Sequence, residues 1–311
     1  MTTAEAPSLE IWRGAVNAWE CDEMGHMNVR FYLAHAHAGL AGLAAAMGLP
    51  DAFSPTGGST LIIREQHVRF LREAHAGAPL HMHAGLLNVG EQEAEALLVM
   101  RHSESGEPCA SFIVRLVHAT AAGRAFPWTT ATLNAAERLA CTRPDFAGAR
   151  GVPDDAAVEP RASTAMADEL GVPSIGRGPV TPQDCDAFGR LRPDAVMARF
   201  SDGAAQLFGG VPRGGKRPGQ PRLGGALLEI RILHLQNPRA GRHLSLRSGF
   251  SRLEPRFSHI THWLLDAITG EPVASARGIA AALDLDARKV AERSPETLTE
   301  LQSKVIEGFG F

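Results

Sequence analysis

The sequence predicts an α+β protein made of two tandem copies of one unit, each a long helix wrapped by an antiparallel sheet. Three observations predict it. The 311-residue chain repeats itself at a shift of 164 residues, and self-similarity at a fixed period marks a duplicated structural unit. Each copy carries one long apolar stripe at helical spacing. Each stripe is followed by four consecutive strand-like runs, and sequential strands pair most simply as an antiparallel sheet that covers the helix.

The shift is constant across most of the unit. Cys21-Asp22 recurs as Cys185-Asp186, Gly25 as Gly189, Glu65 as Glu229 and Ala76-Gly77 as Ala240-Gly241. Leu80 recurs as Leu244, Gly85 as Gly249, Gly106-Glu107-Pro108 as Gly270-Glu271-Pro272, and Ala110-Ser111 as Ala274-Ser275. Only near residue 50 does a short gap intervene, where Gly48-Leu49-Pro50 pairs better with Gly210-Val211-Pro212.

In order along each copy, a first strand is expected at about 9–18 and about 177–183. A loop holding the Asp follows, then a helix of about 18 residues. Leu33, His37, Leu40, Leu43 and Met47 mark the apolar face of the first helix. Val196, Met197, Phe200, Ala204 and Leu207 mark the second, with Pro193 suited to its first position. Strands follow at about 60–71, 79–90, 94–103 and 109–119, and again one repeat later. A trailing helix is expected over Thr130–Leu139 and after Ser294-Pro295-Glu296. The Pro-, Ala-, Gly- and Asp-rich stretch between the copies reads as a linker with one short helix near Ser163–Leu170. The expected domains are therefore 1–141 with its trailing helix, a linker at 142–176, and 177–311 with a C-terminal helix.

Composition narrows the function classes. Lys and Arg number 31 against 34 Asp and Glu, a net charge of −3. General attraction to nucleic acid or to an anionic membrane is therefore not expected. No apolar run approaches the ~20 residues of a spanning helix. The N-terminal Met-Thr-Thr-Ala-Glu-Ala-Pro lacks the basic and apolar regions of an export signal. Four cysteines then read as reduced thiols, and a cytoplasmic protein is expected. Abundant Ala, Gly and Arg with only three lysines suggest a GC-rich, bacterial genome.

The stretch Trp19-Glu20-Cys21-Asp22-Glu23-Met24-Gly25-His26-Met27-Asn28-Val29-Arg30-Phe31-Tyr32 carries the chemistry. It resembles the Asp-x-x-Gly-His-(Val/Met)-Asn-x-x-x-Tyr signature of hotdog-fold thioesterases, in the branch similar to 4-hydroxybenzoyl-CoA thioesterase. His67-Val68-Arg69-Phe70-Leu71 and Gly77 look like the strand and glycine turn that follow in that family. The resemblance implies an acyl-CoA thioesterase with Asp22, His26, Asn28 and the backbone N–H of Val29 in its catalytic machinery. Tyr32, Glu65, Asp186, Arg190 and Arg192 are expected around the substrate. Family members act as dimers, so two fused copies imply an internal pseudo-dimer, and a homodimer of such chains remains open. The second copy departs from the signature: Arg190 replaces His26, Arg192 replaces Asn28 and Val196 replaces Tyr32. Its activity is accordingly in doubt.

The chemistry is also legible without the family. Thioester hydrolysis needs a base or nucleophile and a donor for the developing oxyanion. A loop carboxylate can activate water or attack directly. Free N–H groups at a helix start can stabilise the oxyanion. No metal or redox cofactor is needed, and coenzyme A enters only as part of the substrate.

Plainer roles stay open for each residue. Asp22 suits a turn, Asn28 suits a helix N-cap, His26 suits a structural role and Tyr32 suits packing on the sheet. Glu65 and Glu229 fit a substrate site or a solvated strand equally. Arg190 and Arg192 are suited either to pairing with Asp186 or to contacting the phosphates of coenzyme A. Cys21 and Cys185 stand beside the aspartates without a surrounding triad and read as packing residues. His35-x-His37 and His81-x-His83 lack a third metal ligand. The basic loop 211–222 suits either a phosphate clasp or a solvated turn. A hotdog acyl-CoA dehydratase or hydratase, and a non-catalytic acyl-thioester-binding module, are the alternative functions. The Asp-x-Asn-Pro-x-His pattern of the hydratases is absent, while the altered second loop favours the binding module.

Overall fold

The structure is a computed structural model that describes residues 6–153, 162–207, 223–284, 286–287 and 289–310. The chain forms two compact units: Met1–Ala149 together with Cys185–Asp194, and Arg150–Asp184 together with Ala195–Phe311.

The first unit contains β1 (Leu9–Ala15), α1 (Val29–Ala46), β2 (Thr60–Phe70), β3 (Pro79–Val89), β4 (Glu93–His102), β5 (Pro108–Ala119) and α2 (Thr130–Glu137). Its sheet is antiparallel, in the order β1-β3-β4-β5-β2. The apolar face of α1 sets the packing. Leu33, Ala36, Leu40, Leu43 and Ala44 recur three or four residues apart and are buried, which places them on one side of a 3.6-residue helix. Each buried leucine contributes about 1.5–3 kcal/mol. On the sheet, Leu97, Val99 and Ile113 pack against Cys141 and Ala147 of the segment after α2.

The second unit contains α3 (Thr164–Glu169), β6 (Ser174–Pro179), most of α4 (Pro193–Leu207), β7 (Leu223–His234), β8 (His243–Leu253), β9 (Phe257–Asp266), β10 (Pro272–Asp284), β11 (Lys289–Val290) and α5 (Pro295–Gln302). Its antiparallel sheet runs β6-β8-β9-β10-β7, with β11 pairing β10. Ala167 and Val172 pack with Trp263, Leu265 and Phe309. Within this unit Glu229 departs from the solvated reading. It is only 3% exposed, and its carboxylate accepts the backbone N–H groups of Arg150 (2.9 Å), Gly151 (2.9 Å) and Val152 (3.3 Å). It anchors the start of the linker.

Both copies use a glycine in the middle of a strand for the same purpose. A Cβ on Gly85 of β3 would lie 2.6 Å from Cys141 Sγ and 3.0 Å from the Leu139 carbonyl oxygen. The segment after α2 crosses there, with Leu86 bridging Ala140. In β8 a Cβ on Gly249 would lie 2.6 Å from Ile306 Cδ1, where Phe250 bridges Val305. The repeated Gly is thus a close approach of the trailing chain to the sheet.

No helix among the described residues is long and apolar enough to cross a membrane.

Candidate active site

Residues 21–28 fold back on themselves just before α1. Cys21 bridges Met27, the Asp22 N–H donates to the His26 carbonyl at 2.8 Å, and the Gly25 N–H donates to the Asp22 carbonyl at 3.0 Å. Gly25 takes φ +80°, a left-handed turn that a side chain disfavours. Asp22 Oδ1 accepts the N–H groups of Met24 (2.9 Å) and His26 (3.2 Å). That Asx turn fixes the carboxylate on the loop. The other oxygen, Oδ2, has no hydrogen-bond partner among the described residues, and the side chain is half-buried. One oxygen therefore holds the residue while the other remains available.

The helix start is built from the same stretch. Asn28 caps α1, its side chain accepting the Arg30 N–H at 3.0 Å, and its own N–H donates to the Glu20 carbonyl at 2.8 Å. The Phe31 N–H goes to the Asn28 carbonyl at 2.9 Å. Val29 opens the helix, so its N–H lies among the donors that a helix leaves unbonded at its start. It has no acceptor among the described contacts. The loop thus offers a carboxylate oxygen and a helix-start donor within one short segment.

The second loop, Cys185–Asp194, has the same backbone and different chemistry. Cys185 bridges Leu191, the Asp186 N–H donates to the Arg190 carbonyl at 2.7 Å, and Gly189 has φ +75°. Asp186 Oδ1 accepts the N–H groups of Phe188 and Arg190, both at 2.9 Å. Here Oδ2 is occupied: Arg190 binds it through Nε and Nη2, both at 2.9 Å. Arg190 is buried, sits 4.5 Å from the Phe188 ring centroid, and reaches Thr60 Oγ1 at 3.5 Å. Arg192 is likewise turned inward. It binds both carboxylate oxygens of buried Asp194, at 2.9 and 3.0 Å. His37 of α1 approaches the same carboxylate at 3.7 Å. Burial pushes the Asp194 carboxyl up, but the hydrogen bonds and charges of His37 and Arg192 outweigh it and hold the group well below the usual carboxylate range.

Residues 16–147 match the sequence model of the thioesterase-like superfamily. No curated protein matches the sequence. Among solved structures, one from Lactobacillus plantarum assigned as an oleoyl thioesterase shares the fold at a TM-score of 0.65 and 12% identity, covering 89% of this chain and 97% of that one. An acyl-ACP thioesterase from Bacteroides thetaiotaomicron (TM-score 0.62, 9% identity) covers 86% of this chain and 96% of its own. The 12:0-ACP thioesterase of Umbellularia californica (TM-score 0.63, 13% identity) covers 87% and 93%. These likenesses span both copies, and the chain is a tandem pair of hotdog domains.

The remaining expected site residues fall as follows. Tyr32 is buried, its ring edge-on to Phe70 at 5.4 Å and its hydroxyl donating to the Arg72 carbonyl at 3.4 Å. Burial pushes its phenol up, keeping it neutral. Glu65 is half-buried beside its cross-strand neighbour Arg115, at 3.5 Å. His26 Nε2 lies 3.4 Å from Glu73. His35 stacks on Trp12 at 4.3 Å and meets buried Glu20 at 3.2 Å, so the two histidines of the helical pair have separate partners, as i and i+2 positions must. His81 and His83 share a strand face with ring centroids 5.1 Å apart, and His81 pairs with Ser103 Oγ at 3.0 Å. All four cysteines are free thiols. Burial pushes Cys109 up to about 12 and Cys141 up to about 11, while Cys21 is half-buried with its Sγ 3.7 Å from the Asn17 carbonyl. The basic loop 211–222 lies outside the described residues.

The sequence reading missed the grouping of His26 with Glu73 and His75. The local signal for it is weak, because those residues are 47 and 49 positions away along the chain. They meet because Met27 N–H donates to the Ala74 carbonyl and His26 bridges His75.

Proposed function

We propose that the chain hydrolyses an acyl thioester, with acyl-CoA as the substrate class and the first loop as its working centre. The observation that carries this reading is the difference at Oδ2. Asp22 keeps that oxygen available on a fixed turn, whereas Arg190 occupies the equivalent oxygen of Asp186. In the reaction, Asp22 takes a proton from water as the oxygen adds to the thioester carbonyl, or attacks that carbon itself. The Val29 N–H, at the positive end of α1, donates to the oxyanion that forms. Collapse of the tetrahedral species expels the thiolate, which takes the proton held by Asp22 and leaves as the thiol; where Asp22 itself attacks, water then cleaves the acyl–Asp22 anhydride, freeing the acid and the carboxylate and supplying the thiol's proton. His26 and Asn28 hold the loop and the helix start in register. The second loop serves the fold through its ion pairs, and no step requires a metal or redox group.

The carrier deserves its own arm in the test. Two of the structures with the same fold over most of the chain are acyl-ACP thioesterases, which favours acyl carrier protein as the alternative to coenzyme A.

The experiment is a free-thiol assay over short, long, branched and aromatic acyl groups, presented on each carrier. Asp22→Asn should lose about 100- to 10,000-fold in rate, the usual cost of removing a general base. Asp186→Asn should retain a large share of activity, with thermal melting as the folding control. Greater damage from Asp186→Asn would reverse the assignment. Tight binding without thiol release by the wild type would favour the binding module.

A further inference from the structure

We propose that His26, Glu73 and His75 form a binding site for a divalent transition-metal ion of zinc's class. One ligand atom from each of the three lies within 4.8 Å of the other two. His26 Nε2 and Glu73 Oε2 are 3.4 Å apart. Two donors bound to one zinc ion at about 2.1 Å and a tetrahedral angle sit about 3.4 Å apart, so this pair already has the span that coordination requires. Glu73 and His75 are exposed, on the stretch between β2 and β3.

The tautomer of His75 is set for the task. Its Nδ1 lies 3.2 Å from the Gly25 carbonyl oxygen, which only accepts. Nδ1 must therefore carry the proton, and Nε2 presents a lone pair. Metal-binding histidines are held in this way, with the second ring nitrogen donating to a carbonyl or carboxylate. The rings of His26 and His75 stand edge-to-face with their centroids 4.8 Å apart.

Two histidines and one carboxylate leave a fourth position open to water or to a small anion. The set is not a by-product of the repeat. The second copy has Arg190, Asn237 and Arg239 at the corresponding positions, none of which is a metal ligand of this class.

The test uses the full chain, stripped with a chelator and exchanged into metal-free buffer. Zinc chloride is then titrated in competition with a chromophoric chelator. One tight equivalent per chain is expected. Glu73→Gln and His75→Ala should each weaken it at least 10- to 100-fold, the range seen even for loss of a ligand's outer partner. A His81→Ala/His83→Ala double variant should bind as the wild type does. Absence of competition by the wild type, unchanged affinity in Glu73→Gln, or loss of binding only in the His81/His83 variant would each overturn the proposal. Thermal melting without metal checks the fold. If His75→Ala does not fold, the near-isosteric Glu73→Gln decides. The readout is metal affinity, so the result stands apart from the hydrolysis reading.

Discussion

Arg190 shows how one side chain changes a loop's chemistry without changing its backbone. The turns at Asp22 and Asp186 share their bridges, their left-handed glycine and their pair of N–H donors. That sameness was legible in the repeated Cys-Asp-x-x-Gly. Whether Arg190 pairs with Asp186 or reaches a phosphate was not, because the choice depends on Phe188 and Thr60 around it. His262 is a second case. It is fully enclosed on β9, bonded to Ser248 Oγ at 2.7 Å, and burial pulls its imidazole down to about 3. The unfolded chain takes up a proton at this residue below pH ~6.5 that the folded chain refuses. Stability from this residue is therefore complete above that pH and lost as pH falls from 6.5 toward 3. Between pH 6.5 and 5 the loss is about 2 kcal/mol. The first copy has Leu98 opposite Ala84 where the second has His262 opposite Ser248. Installing that apolar pair, His262→Leu with Ser248→Ala, should flatten the fall in stability over this range. Urea unfolding at several pH values measures it, and an unchanged slope would refute the account.

At the scale of elements, the sequence placed the long helices, the four strands after each, and the starts of the shorter helices. Asn28, Ser163 and Ser294 stand as N-caps of α1, α3 and α5. Helical and alternating periods carry that information locally. β11 was not legible, since two exposed residues, Lys289 and Val290, have no period to read. The repeat of Gly85 as Gly249 was visible, but its reason was not, because Cys141 and Ile306 arrive from far along the chain. Gly85→Ala should cost about 1–3 kcal/mol, the range for forcing an extra carbon into a packed site. The neighbouring carbonyl of Leu139 is backbone and cannot rotate away. Thermal or urea unfolding of the variant tests this, and a neutral result would mean that the trailing segment shifts freely.

For the whole molecule, the duplicated α+β architecture was readable because one constant shift ran through most of each copy. The division into units was less so. Cys185–Asp194 leads into the start of α4, whose other residues lie in the second unit, yet belongs to the first, a placement that no local pattern encodes. The role of Glu229 was hidden for the same reason: its partners, Arg150, Gly151 and Val152, lie 77–79 residues away. Glu229→Ala strands those backbone donors, at about 1–3 kcal/mol for each buried one that finds no water. The linker should then loosen, and trypsin should cut after Arg150 faster than in the wild type. Glu229→Gln, which keeps one acceptor oxygen, should fall between the two. Equal cleavage rates in all three would show that the carboxylate does not hold the linker.

The ion pair between Asp186 and Arg190 also bears on how such a chain can evolve. In a protein assembled from identical subunits, every codon is expressed at every copy of the loop, so an arginine at this position would tie up all the aspartates together. Here the two loops are written separately in one gene. A substitution in one is not copied into the other, and selection can act on each alone. The arginine is present once, and in the first loop a histidine stands at that position. With the first loop as the proposed working centre, duplication within the chain lets the second loop take an architectural part without tying up the first.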